Sequence, residues 1–189
     1  MNEPVISLIS WGRIAFLSGI AFYLCISVLS FAAVPEKVEK FERLARNKYV
    51  GLFGGWLALA LCVPHAVVVS PGFLIPFLWP IALVVPVLGF FFVDYPAARA
   101  VGGLLILLGY SLIHYTFDFR TPGFPYFAFL GWLTGIAGIW ISGKPCAMRD
   151  YFRLCAGKVW FRYLGTALWG VAALSALWAL VMTREGGAL

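Results

Sequence analysis

Residues 50–93 read VGLFGGWLALALCVPHAVVVSPGFLIPFLWPIALVVPVLGFFFV and hold two apolar blocks that only Ser70-Pro71-Gly72 separates. Each block has roughly 20 residues, the length that a helix needs to cross about 30 Å of hydrocarbon. The Pro-Gly step between them is a strong turn signal. The stretch therefore predicts a transmembrane helical hairpin with almost nothing outside the membrane between its helices.

The composition of the whole chain extends this interpretation. Of the 189 residues 62% are hydrophobic and only 12% are charged, and the mean hydropathy is +0.93. A soluble domain has about 25% charged residues, so this chain has too little polar surface to face water on all sides. We expect one integral membrane domain over residues 1–189. The net charge of +6 sits in short connections between apolar blocks, which excludes nucleic-acid binding.

Six apolar blocks have the length of a membrane span, or nearly so. They cover approximately residues 14–34, 50–69, 73–93, 97–117, 126–142 and 159–182. The predicted fold is therefore all-α, a six-helix transmembrane bundle. In the fifth block, Gly131 and Gly135 form a GxxxG step, which predicts the close approach of another helix.

The distribution of basic residues predicts the orientation of these spans. Ten of the 14 Lys and Arg residues lie in the connections 35–48 and 143–162, and an eleventh, Arg99, follows the connection 94–96 on the same side. The other three, Arg13, Arg120 and Arg184, belong to the opposite side. Because cytoplasmic connections carry the excess of positive charge, we expect both termini outside, in the periplasm of a bacterium. The predicted location is the inner membrane, with multiple passes.

Both basic connections are predicted to be helical. In 35–48, Glu39–Arg43 and Glu42–Arg46 have the i,i+4 spacing and polarity of stabilising ion pairs, and Val38, Phe41 and Ala45 share one apolar face. In 143–158, apolar residues recur at helical spacing from Met148 to Cys155, a pattern typical of a helix at the membrane interface. These helices carry the basic side chains that we predict to bind anionic lipid or a partner: Arg43, Arg46, Arg149, Arg153 and Lys158. The alternative is a solvated connection whose charges only fix the topology.

The two histidines are the candidates for a cofactor site. His65 and His114 are predicted at similar depth on the second and fourth helices, which run in the same direction and commonly lie diagonally across a bundle. Two imidazoles facing each other are the usual axial ligands of a b-type haem, whose propionates Arg120 is placed to pair with. The plainer alternative is that both histidines lie near the membrane surface with their polar tips wet.

Three stretches carry a resemblance to other proteins: FERLARNKYVG, ARAVGGLLILLG and GIWISGKPCAMRDYFR. Together they resemble a loose group of uncharacterised bacterial polytopic membrane proteins, over most of residues 41–153. The resemblance implies a membrane fold and no assigned activity. It does not imply histidine at positions 65 and 114.

The sequence therefore favours a non-enzymatic role. We expect an integral subunit or accessory protein that contacts membrane lipids and packs against other membrane-protein subunits, with no catalytic residues and no metal site. The main alternative is a cytochrome with a single b haem, held by His65 and His114, that exchanges electrons with quinone. A transporter of small solutes or lipids is the third interpretation, disfavoured because no carboxylate falls within an apolar block.

Overall fold

A computed structural model describes residues 3–118 and 124–186, and the side chains of residues 1–16, 118–124, 179 and 182–189 lie outside this description. The described chain is helical and has no strands, which confirms the all-α prediction. The helices are α1 (Glu3–Ala32), α2 (Val38–Arg46), α3 (Lys48–Val69), α4 (Leu78–Phe92), α5 (Pro96–Asp118), α6 (Phe124–Gly143), α7 (Cys146–Gly157) and α8 (Val159–Gly186), with 3-10 turns at Pro35–Lys37 and Ile75–Phe77.

Four segments are long and apolar enough to cross a membrane: Lys48–Val69, Ile75–Phe92, Pro96–Phe117 and Pro125–Gly143. A fifth would join Leu17–Ala32 to Pro35–Arg46, but these two parts are bent by 113°. The bend places α2 across the end of α1 instead of extending it. Within the described part of the chain the fold therefore has four to five candidate spans, where the sequence predicted six.

Helix α5 lies at the centre, and α6 packs antiparallel against it through glycines on both helices. Gly102 lies opposite Gly138, and Gly109 lies opposite Gly131. A Cβ atom on Gly138 would lie 2.6 Å from the Gly102 carbonyl oxygen, so the two backbones are in direct contact. The predicted GxxxG step is half right, because a Cβ on Gly135 would meet nothing within 4 Å. A spacing of seven residues, about two turns, keeps Gly131 and Gly138 on one face.

Helix α3 lies parallel to α5 on another side, and α4 packs back on α3. Gly51 contacts the Pro96–Ala97 backbone, and a Cβ on Gly54 would lie 3.0 Å from the Ala100 Cβ. The second and fourth apolar helices are therefore neighbours, and the expected diagonal placement is wrong. The Trp56 indole N–H donates to the Leu83 carbonyl over 3.0 Å, so α3 and α4 form the helical hairpin that the sequence predicted.

Helices α1 and α8 pack antiparallel on the remaining side of α5. The Ser27 hydroxyl donates to the Thr166 carbonyl over 2.8 Å, and Tyr23 stacks on Trp169 with ring centroids 5.9 Å apart. Nearer the other end of the same pair, Ile20 and Ala176 share a buried cluster with Leu112 of α5.

The two connecting helices, α2 and α7, lie together over one end of the bundle. Phe41 and Phe152 stack with ring centroids 4.9 Å apart, and Ala45, Met148 and Cys155 belong to the same buried cluster. The apolar faces predicted for both connections are confirmed as faces, but they pack on each other and on the bundle. We call this end, which gathers the two basic connections, the basic end.

Substitution of the α6 glycines tests the α5–α6 contact. Gly138→Ala should lower the free energy of unfolding by about 1–3 kcal/mol, because the added methyl group meets backbone atoms that cannot move aside cheaply. Gly135→Ala is the matched control on the same helix and should be neutral or gain up to about 1 kcal/mol from helix propensity. Unfolding of the detergent-purified variants measures both values. Equal losses in the two variants would contradict the seven-residue contact.

Candidate functional site

The two histidines meet at one tyrosine. The His65 and Tyr110 ring centroids lie 5.0 Å apart, and those of Tyr110 and His114 lie 4.2 Å apart. His114 is exposed and His65 is partly buried. The structure therefore brings the predicted pair together, but through a shared contact with a phenol ring on the side of the α3–α5 pair. Arg120, the predicted partner of the haem propionates, lies outside the described residues.

This arrangement does not fit a haem as it stands. A bis-histidine haem needs a flat slot in which both imidazoles reach the iron. Here the Tyr110 ring contacts both imidazoles. Neither histidine lines the large cavity described below. The haem stays a prediction, and its binding between these histidines would require Tyr110 to move.

Three of the five basic residues predicted to bind lipid or a partner make ion pairs within the chain. Arg43 pairs with Glu39 at 2.8 Å on α2, as predicted. Arg153 of α7 donates to Glu42 of α2 over 2.6 Å, and Arg149 pairs with its neighbour Asp150 at 3.0 Å. The predicted Glu42–Arg46 ion pair is wrong, because Glu42 pairs instead with Arg153 of the neighbouring helix α7.

The other two basic residues have different surroundings. The Arg46 guanidinium lies over the Tyr95 ring, 5.2 Å from its centroid. Lys158 is exposed at the break between α7 and α8, and none of the ion pairs in the described residues includes it. The charges at the basic end thus serve partly to hold α2 on α7, a role that the sequence pattern did not separate from binding.

A chain of hydrogen bonds joins the three helices α1, α7 and α8. Ser30 donates its single hydroxyl proton to the Ile26 carbonyl over 2.7 Å, so in its 2.8 Å contact with Tyr151 the phenol is the donor. The Trp169 indole N–H in turn donates to the Tyr151 oxygen over 3.1 Å. Tyr151 lies on the apolar face predicted between Met148 and Cys155, and no local signal predicted this network.

The environment of Tyr151 keeps its hydroxyl neutral. Burial raises the pKa of Tyr151 to about 12, and the hydrogen bond with Ser30 opposes this shift only partly. Burial also raises the pKa of the nearby Cys155 thiol. A phenol and a thiol with raised pKa values are poor bases and nucleophiles at neutral pH, so these groups are suited to joining helices rather than to catalysis.

A second hydrogen bond joins α1 and α6 across the middle of the bundle. The Tyr23 hydroxyl donates to Thr134 over 2.9 Å, and Thr134 donates to the Leu130 carbonyl over 2.8 Å. Tyr23 and Thr134 are both buried. From this bond towards the basic end, the two helices are separated by a gap.

That gap is a cavity of about 760 Å³. Its walls are almost entirely apolar and come mainly from α1, α5 and α6, including Ile26, Leu105 and Ala137, with Met148 and Phe152 of α7 closing the basic end. Charged side chains occur only at the basic end, where Lys144 and Asp150 contribute. No sequence pattern predicted this cavity, because its walls come from helices distant in the chain.

The chain matches no protein-family model, no curated protein and no solved structure.

The α2–α7 ion pair gives stability a defined pH dependence. The hydrogen bond from Arg153 lowers the pKa of Glu42 below its ordinary value. The stabilisation is therefore complete above the ordinary glutamate pKa and is lost as the pH falls through the lowered one. We expect the melting temperature of the wild-type protein to fall more than that of Glu42→Gln between pH 7 and about pH 3.

Glu39→Gln is the matched control, because Glu39 pairs only within α2. Its melting temperature should follow the wild-type pH profile. Identical profiles for the wild type and Glu42→Gln would refute the role of this pair.

Proposed function

We propose that this chain is a polytopic protein of the bacterial inner membrane, with six spans and both termini in the periplasm. The antiparallel succession of α1, α3, α4, α5, α6 and α8 supports six passes, because consecutive long helices then alternate in direction. The gathering of basic residues at the end formed by α2 and α7 supports a cytoplasmic position for that end. The bend of 113° between α1 and α2 is what an interfacial helix requires.

Within that membrane we propose a non-enzymatic role, as an accessory subunit that packs against other membrane-protein subunits. The use of the polar side chains in the helical interior supports this proposal. Tyr23, Thr134, Ser27, Ser30 and Tyr151 all engage in hydrogen bonds within or between helices. Arg99 likewise donates to the Ser142 carbonyl at the end of α6 over 3.1 Å. These bonds hold the bundle together.

The observation that carries the accessory role is the position of α4. Its span is the least buried of the four candidates, and its buried residues are Ala82 and Pro86. It packs mainly on α3. Its outer face presents large apolar side chains, including Leu83, Val84, Leu88, Phe91 and Phe92. We propose that a transmembrane helix of a partner subunit packs along this face.

The orientation is tested with reporter fusions at the C-terminus and in the connection 143–158. A fusion of alkaline phosphatase after Leu189 should be active, and a fluorescent protein that matures only in the cytoplasm should be dark there. In the connection 143–158 the two reporters should give the opposite results. An active cytoplasmic reporter at the C-terminus would overturn the six-span topology.

The accessory role is tested by cross-linking in native membranes followed by purification through an affinity tag. A discrete membrane subunit should co-purify in a constant ratio, and Val84→Trp should reduce that ratio several-fold by adding bulk to the α4 face. Val171→Trp on α8 is the matched control, since Val84 and Val171 are similarly exposed, at 52% and 56%. It should leave the ratio unchanged.

Purification of the chain alone after cross-linking, as a single species, would contradict the accessory role. A reduced-minus-oxidised spectrum of the same sample separates it from the cytochrome, since a b haem gives a sharp band that His65→Ala and His114→Ala would remove. An accessory subunit has no such band.

A further inference from the structure

The apolar cavity has the size of a ligand site, and its wall offers few hydrogen-bond partners for water. Its volume of about 760 Å³ falls within the range of about 300–1,000 Å³ that ligand sites occupy. Ordered water needs two to four polar partners, and the polar side chains that line this cavity, apart from Lys144 at its mouth, are already bonded. Tyr151 and Trp169 bond to each other, and Asp150 bonds to Arg149. An apolar occupant fits these walls better than water does.

The dimensions favour a flexible chain over a protein helix. A helix with its side chains is about 10 Å across, so about two turns of it would fill this volume. A transmembrane helix from a second copy or a partner is several times longer and would have to leave the cavity at both ends. The Tyr23–Thr134 bond joins α1 and α6 at one of those ends, towards the middle of the bundle. A hydrocarbon chain that enters from the basic end can stop there.

The charged residues at the basic end of the cavity indicate which polar group the hydrocarbon chain carries. Lys144 lines the cavity and follows directly on the last turn of α6, where its backbone N–H donates to the Trp140 carbonyl. Its side chain is exposed, and none of the ion pairs among the described residues includes it. Asp150, the acidic neighbour on the rim, is paired with Arg149. An uncompensated ammonium group at the mouth of an apolar cavity is complementary to a phosphate.

We propose that this cavity binds one membrane phospholipid, with an acyl chain between α1, α5 and α6 and an anionic headgroup against Lys144. The exposed Trp140 at the rim suits the headgroup level of a bilayer, where tryptophan is enriched. The site differs from the lipid contacts predicted from sequence, because Arg43, Arg149 and Arg153 are held in ion pairs and Lys144 provides the charge. The inference rests on the membrane placement proposed above and is independent of the accessory role.

The site is tested by counting bound lipids with native mass spectrometry. The detergent-purified chain is mixed with equal amounts of phosphatidylglycerol, which is anionic, and phosphatidylcholine, which is zwitterionic. The wild type should retain one phosphatidylglycerol molecule per chain. Ala137→Phe fills the cavity from α6 and should lower this occupancy by about tenfold. Ala128→Phe is the matched control, a partly buried alanine on the same helix that does not line the cavity.

The headgroup contact is tested separately with two surface substitutions that leave the packing intact. Lys144→Gln should abolish the preference for phosphatidylglycerol over phosphatidylcholine, whereas Lys158→Gln should keep it. If Ala137→Phe does not fold, as judged by its melting temperature, this pair decides alone. Equal occupancy in Ala137→Phe and Ala128→Phe would overturn the proposal, as would an unchanged preference in Lys144→Gln.

Two other outcomes separate this inference from its alternatives. A wild-type protein that runs as a dimer, and as a monomer after Ala137→Phe, would assign the cavity to a second copy and overturn the lipid site. An active cytoplasmic reporter at the C-terminus would remove the proposed six-span topology, whereas failure of lipid retention with the expected topology would remove only this site.

Discussion

The direct contact between the backbones of α5 and α6 determines how the remaining helices are placed. Because Gly102 and Gly138 have no side chains, the two helices approach until carbonyl oxygens and glycine Cα atoms touch. In a membrane, where lipid tails are as apolar as the side chains, such close packing is a main source of helix association. The other faces of α5 then receive α3 and the α1–α8 pair. The result is a central helix surrounded on most sides, with α4 left on the outside.

Local patterns predicted what depends on local sequence. The helices, the α3–α4 hairpin at Ser70-Pro71-Gly72 and the apolar faces of α2 and α7 follow from composition, turn residues and periodicity, and the structure has all of them. The neighbours of each helix depend on contacts between distant residues. Sequence spacing therefore placed His65 and His114 across a bundle core, whereas Gly51 and Gly54 bring their helices side by side. For the same reason Glu42 bonds to Arg153, which lies 111 residues away, and not to Arg46 in its own helix.

The cavity was less predictable from the sequence than the fold was. Histidines in an apolar chain are candidate functional residues, because an ionisable side chain inside a membrane is costly. The cavity has no comparable signal, since its wall consists mostly of Leu, Ile, Ala and Phe residues that are typical of any membrane helix. It exists because Tyr23 and Thr134 join α1 and α6 in the middle of the bundle, and the two helices separate from that bond towards the basic end. Only the mutual arrangement of the helices distinguishes these residues from ordinary packing.

The α5–α6 contact also constrains the order of events during synthesis. These two helices are less apolar than α3 and α4, so each alone gains less from leaving water for lipid. Their glycine faces allow close packing only when the two helices contact each other. Helix α5 emerges from the ribosome first and gains its direct backbone contact when α6 follows. The two helices therefore have the character of a single insertion unit, and the bundle around them is completed when α8 arrives last.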